Sequence, residues 1–125
     1  MVPTDTRAVG DGAETLALRF LARHGLKPVA RNYRCRLGEI DLIMRDAHCL
    51  VFVEVRYRRN NAYTDAALSV DMRKQQKLLR AAAMYVAGKR FRRPPTMRFD
   101  VVGIDRDQCG ELRVTWLKDA FRPDG

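Results

Sequence analysis

The chain is poor in the residues that build covalent or metal-held frameworks, with three cysteines and two histidines among 125 positions. Cys35, Cys49 and Cys109 are odd in number and lack any Cys-x-x-Cys spacing. That argues against a disulfide scaffold and for reduced thiols in the cytoplasm. With His24 and His48 as the only imidazoles, a structural zinc site is not expected. Long hydrophobic runs are missing too, because Arg or Asp interrupts every apolar stretch well before the ~20 residues of a membrane span. The stretch from Met1 to Arg7 has no apolar core of a secretory signal, so no export is expected. The expectation is a cytoplasmic protein with no membrane partner.

Acidic residues are the other shortage. Fifteen Asp and Glu stand against 24 Lys and Arg, a formal net charge of +9. Hydrophobic residues make up 46% of the chain, too many for disorder. One domain over residues 1–125 is the natural reading, since a chain of this size can take roughly two-thirds of its surface out of water. The positive surplus favours nucleic acid as a partner. Arg31, Arg34 and Arg36 form one basic group, and Arg56, Arg58 and Arg59 a second. Arg73, Lys74, Lys77 and Arg80 make a third, and Lys89, Arg90, Arg92 and Arg93 a fourth. The plain alternative for each is a solvated face.

Residues 1–11, polar and carrying Pro and Gly, read as a loose lead-in. Ala13, Leu16, Ala17, Phe20 and Leu21 then mark one face of a helix, with Asp11 as its cap and Gly25 as its stop. Lys27 to Cys35, Glu39 to Arg45 and Cys49 to Tyr57 read as three strands, the first at an edge. The third, apolar on both faces and β-branched, suits a central position. After a turn-rich connection over Asn60 to Ala66, a helix is predicted from Ser69 to Ala87. Leu78, Ala82, Tyr85 and Val86 lie on its apolar face. Gly88 to Pro95 forms a basic loop, Arg98 to Ile104 and Leu112 to Leu117 are two more strands, and the last residues add a helical turn. The order is α-β-β-β-α-β-β. A crossover after the third strand makes the fourth parallel to it, so the class is α/β with a mixed five-stranded central sheet flanked by helices.

Acids inside apolar strands are the chemical signal. With a period of two, Glu39, Asp41 and Ile43 share one face of the second strand. Phe52, Glu54 and Arg56 share one face of the third. Buried carboxylates need compensation. A divalent cation such as Mg²⁺ supplies it for two hard oxygen donors, and a structural ion pair with a neighbouring base is the alternative. Tyr57, Tyr63 and Trp116 are candidates for stacking on bases, with packing in the core as the alternative.

The pattern extends along the chain. Glu14, Arg31-Asn32-Tyr33, Gly38 to Ile43, Phe52 to Arg58, Lys74-Gln75 with Lys77-Leu78, and Arg98 to Val102 occur in that order. Together they resemble the YraN-like family of small bacterial proteins. That family is similar in layout to restriction-endonuclease-like nucleases and archaeal Holliday-junction resolvases. The resemblance implies a metal-dependent endonuclease that hydrolyses phosphodiester bonds in DNA, branched or structured DNA included, with DNA favoured over RNA. A non-catalytic nucleic-acid-binding module on the same fold is the alternative. Carried over, Asp41 and Glu54 would hold Mg²⁺ or Mn²⁺, with Glu14 and the Val55 carbonyl as further ligands and Glu39 behind them. Arg56 stands where the superfamily usually has Lys. Being charged at any ordinary pH, it cannot be a general base, although it can stabilise charge on a phosphate. Lys74 would supply a compensating ammonium. Arg31, Arg34, Arg36, Arg58, Arg59, Arg73, Lys77, Arg90, Arg92 and Arg93 would track the phosphate backbone. Junction resolvases act as dimers on a two-fold substrate, so the resemblance also implies a homodimer.

Overall fold

A computed structural model describes the backbone of residues 6–57 and 70–123, and the side chains of 12–57 and 70–123. Helix α1 (Thr6–Arg23) leads into β1 (Lys27–Cys35), β2 (Gly38–Asp46) and β3 (Cys49–Tyr57). Helix α2 (Met72–Ala87), β4 (Thr96–Arg106) and β5 (Leu112–Phe121) follow. The five strands lie in one sheet in the order β1-β2-β3-β4-β5. Every neighbouring pair is antiparallel except β3 and β4, which the α2 crossover makes parallel. This is the mixed α/β layout, with its α-β-β-β-α-β-β order, that the sequence predicts.

Alternation along β3 assigns one helix to each face. Leu50 and Phe52 pack with Leu78, Ala81, Ala82 and Tyr85 of α2. Val51 and Val53 point the other way and pack with Ala13, Ala17 and Leu21 of α1. The central strand is thus buried on both sides, which is why it reads as a nearly continuous apolar run. On α2 the buried positions 78, 81, 82 and 85 repeat at three and four residues, the stripe of a one-sided helix.

Strand β4 is two residues longer at each end than expected and β2 one, and three boundaries differ more. Helix α1 starts at Thr6, so part of the expected lead-in is helical and Asp11 lies inside the helix. Gly10 and Gly12 weaken a helix by about 1 kcal/mol each, but propagation back from a packed C-terminal half outweighs that. Gly25 does end the helix, at a left-handed φ of 93° that favours glycine. Helix α2 starts at Met72, capped by Asp71, whose side chain accepts the Lys74 N–H at 2.8 Å. The expected start at Ser69 and the connection over Asn60 to Ala66 lie outside the described residues. Finally, β5 continues to Phe121 instead of ending in a helical turn. Its last residue pairs with Phe99 beyond a bulge, and the two rings stack 5.0 Å apart.

One irregularity prepares the site. The β2–β3 ladder runs from Asp46↔Cys49 to Leu42↔Val53 and stops, while β2 stays paired with β1 as far as Cys35↔Gly38. The two strands part where Asp41 and Glu54 stand. There the simple alternation of β2 also lapses, for Ile40 packs in the same cluster as Ile43.

Candidate metal and nucleic-acid site

Past the last ladder pair, the edge of β3 that faced β2 has lost its backbone partner. The Asp41 side chain takes over: its Oδ2 accepts the Val55 N–H at 2.8 Å. In a strand the N–H and C=O of one residue face the same edge. The Val55 carbonyl therefore points to the Asp41 side. Glu54, 7% exposed, projects from the α2 face of β3. Lys74, on the first turn of α2, reaches it with Nζ 3.0 Å from Oε1. The Asp71 cap fixes the start of that turn. Close packing holds it there, since a Cβ on Gly38 would sit 3.2 Å from the Lys77 carbonyl oxygen.

The result is a cavity of about 690 Å³ with Asp41 and Glu54 at its base and the exposed Glu39, Arg34, Arg36, Arg73, Lys74 and Lys77 around them. Two acids lie at the bottom, and at the rim five cations outnumber the exposed acids Glu39 and Asp71. Burial and the Glu54 charge push the Asp41 carboxyl up to about 6, against the opposing pull of the Val55 N–H and of Lys74. Two close carboxylates of which one resists ionising form a site that gains from a cation. The donors are hard oxygens, and Mg²⁺ is commonly held by one or two carboxylates plus water and substrate phosphates. The set fits that ion.

The other expected site residues are distributed unevenly. Glu14 does not join the pair: its Oε2 lies 3.8 Å from Arg31 Nη2, and among the described residues no three carboxylate, imidazole or thiol side chains converge as a metal-ligand group. Arg31 also donates to Thr15 Oγ1 at 3.2 Å. It clasps α1 to β1, an arrangement that spacing along the chain cannot reveal. Glu39 lines the cavity but pairs with Arg34 at 3.5 Å. Arg56 is half-buried and outside the lining of the cavity, so the ammonium next to Glu54 comes from Lys74 on another element. Arg90, Arg92 and Arg93 are exposed on the loop after α2. Arg58, Arg59 and Tyr63 lie outside the described residues.

Trp116 is not a base platform. Its Nε1 donates to Asp100 Oδ2 at 2.8 Å, and its ring meets Phe20 and His24 edge-on. Tyr57 packs against the α1-side core. Sequence reasoning missed Asp71, and an Asp immediately before the basic start of α2 was the available signal. It also missed Asp100, 1% exposed, whose two oxygens take the Arg98 guanidinium, the Trp116 N–H and the Asp119 N–H. Nothing short of the fold brings those groups together.

No helix among the described residues is long and apolar enough to cross a membrane. A structure of SfsA from Pyrococcus furiosus in complex with Ca²⁺ is similar over 91% of this chain and 64% of that one, at 16% identity and a TM-score of 0.42. A UPF0102 protein of Nitrosococcus oceani is 47% identical over 122 residues, 98% of each chain. One of Photobacterium profundum is 50% identical over 121 residues, covering 96% of this chain and 94% of that one. The pattern of the Uncharacterised protein family UPF0102 spans residues 13–104. With both acids, Lys74 and most of the sheet inside that span, the chain belongs to the UPF0102 family, in keeping with its YraN-like motifs.

Proposed function

We propose that this protein is a metal-dependent endonuclease that hydrolyses phosphodiester bonds in DNA, branched or otherwise structured DNA included. The observation that carries the reading is the parting of β2 and β3 at Asp41 and Glu54. It leaves a buried Glu54 and a half-buried Asp41 beside a group of cations in one cavity. An acidic floor alone would repel a phosphodiester, and a basic rim alone would only bind one. A divalent cation between them makes the site attractive to a phosphate.

Asp41, Glu54 and the Val55 carbonyl would hold Mg²⁺ or Mn²⁺. The bound ion would supply Lewis-acid charge at the scissile phosphate and favour ionisation of the attacking water. The chain's own groups do the rest. Lys74 places an ammonium beside the acids, where it can move from Glu54 to a phosphate oxygen. Arg36, Arg73 and Lys77 hold the flanking backbone without reading sequence. Arg56 lies outside the cavity lining, and a guanidinium is no general base. A homodimer would suit a two-fold branched substrate.

A second reading is a binding module that keeps the fold without turnover. The Lys74–Glu54 ion pair favours it, because that pair already compensates one of the acids. Calorimetry with Mg²⁺ and Mn²⁺ separates the two. Under the nuclease reading the wild type binds, Asp41→Ala with Glu54→Ala does not, and the same double variant abolishes cleavage of junction and flap DNA. Wild-type protein that neither binds the ions nor cleaves any of these substrates in their presence rejects the nuclease and leaves the binding module.

A further inference from the structure

The basic side chains divide by their partners. Arg31, Arg34, Arg98, Arg113 and Arg122 each lie in a salt bridge. Among the described residues, Arg36, Arg45, Arg73, Lys77, Arg80 and Arg93 have no carboxylate partner. These six follow α2, while Arg19, Arg23, Lys27, Arg106 and Lys118, equally without a carboxylate, lie on other elements. Arg73, Lys77 and Arg80 are spaced by four and three residues, forming one exposed stripe. Arg36 lines the acid cavity at the start of the helix. Arg45 and Arg93 lie at its far end. Helix α2 contains no acid, and its cations crowd its first half, where the macrodipole is already positive. That placement weakens the helix and suits an anion from outside the chain.

At the far end of α2 is a second cavity, of about 450 Å³, walled by Arg45, His48, Phe91, Arg93, Pro94 and Pro95. Phe91 is 41% exposed there, and the two prolines stiffen the loop that carries it. The cavity opens on the same face of the sheet as the acid pair. Leu50 lines it, and Glu54 lies four residues further on the same side of β3, roughly 13 Å along the strand. Helix α2 spans ~24 Å beside both. A strand of nucleic acid lying along the cationic stripe would reach the second cavity with its phosphates between Arg45 and Arg93. A ring face on a basic wall matches the face of a base. A closed duplex keeps those faces stacked inside and offers only edges, whereas an unpaired strand presents them.

We propose that the cavity around Phe91 stacks an unpaired base of the DNA, with Arg45 and Arg93 on its flanking phosphates, so that the substrate carries a single-stranded segment running along α2 to Asp41 and Glu54. This rests on reading the acid cavity as the site of a phosphodiester, and it adds the strand form that the site selects. The test is metal-free binding, followed by fluorescence anisotropy. The probes are an oligothymidylate of roughly eight nucleotides, within the ~4–16 usual for such sites, and a blunt duplex. The expected result is that Phe91→Ala weakens the oligothymidylate about tenfold, that Phe91→Trp restores it, and that duplex affinity is unchanged. Phe91 is on an exposed loop, so its truncation leaves both core clusters intact. An equal loss on both probes, or no loss on either, overturns the proposal. With no metal present, the result does not depend on cleavage. If Asp41 and Glu54 bind no ion, the Phe91 effect persists without turnover. If Phe91 is indifferent to strand form, cleavage can persist while this proposal falls.

Discussion

Lys74 Nζ lies 3.0 Å from Glu54 Oε1, so an ammonium from the first turn of α2 neutralises an acid that β3 buries. A cation bound by Glu54 and that ammonium compete for the same oxygen. Lys74→Met should therefore tighten Mg²⁺ binding in calorimetry. In the absence of metal it should lower stability by roughly 1–3 kcal/mol, the cost of a buried group left without its partner. Millimolar Mg²⁺ should recover most of that loss. Unchanged or weaker Mg²⁺ binding by Lys74→Met would show that Lys74 and the ion do not share Glu54.

The Asp41 carboxyl gives stability a pH dependence of unusual sign. Folding raises it from about 3.8 to about 6, chiefly by burial and then by the Glu54 charge. The native state then holds that proton more tightly than the unfolded chain does. Its contribution is complete below about 3.8 and is lost as pH rises through about 6. The loss is roughly 3 kcal/mol by the usual conversion. Asp41→Asn should flatten this slope in urea melts between those two values, while still accepting the Val55 N–H. A wild-type slope that Asp41→Asn leaves unaltered would rule out Asp41 as the titrating group.

Asp100 should matter for the fold and not for the ion. Buried on the α1 side of the sheet, it takes Arg98, the Trp116 N–H and the Asp119 N–H. Asp100→Ala leaves four N–H donors from three residues without this acceptor and should cost about 3–5 kcal/mol. Divalent-ion binding by the fraction that remains folded should match the wild type. A loss of ion binding equal to that of Asp41→Ala would place Asp100 in the site after all.

Paired and unmatched cations should separate in a salt titration. For Arg73→Ala or Lys77→Ala, the slope of log affinity for duplex DNA against log salt should shrink by about 1, the value of one lost phosphate contact. Arg31→Ala should leave that slope in place and lower the thermal midpoint, because Arg31 ties α1 to β1. The reverse pattern would mean that the salt bridge of Arg31 opens for DNA.

Local periodicity reached far into this protein. The bounds of β1 and β3 follow from runs of strand formers, and the face carrying Phe52 and Glu54 follows from a period of two. The bulk of α2 is legible from its apolar stripe. The start of α1 and the end of β5 were not, since cooperative extension of a helix and a bulge-corrected pairing depend on neighbours distant in sequence.

The site divides in the same way. Composition and alternation alone determined that acids occur within apolar strands and that the surface is basic. They also determined that Asp41 and Glu54 belong to adjacent strands. Only the tertiary structure decided that the β2–β3 ladder stops at Leu42↔Val53, which frees Asp41 to take the Val55 N–H. It also sent Glu14 to Arg31 and Lys74 to Glu54. The reason is physical. A strand's period fixes which side a residue faces, whereas a partner across elements depends on how a helix docks. Close packing of α2 on Gly38 sets that docking, and the sequence near either residue does not encode it.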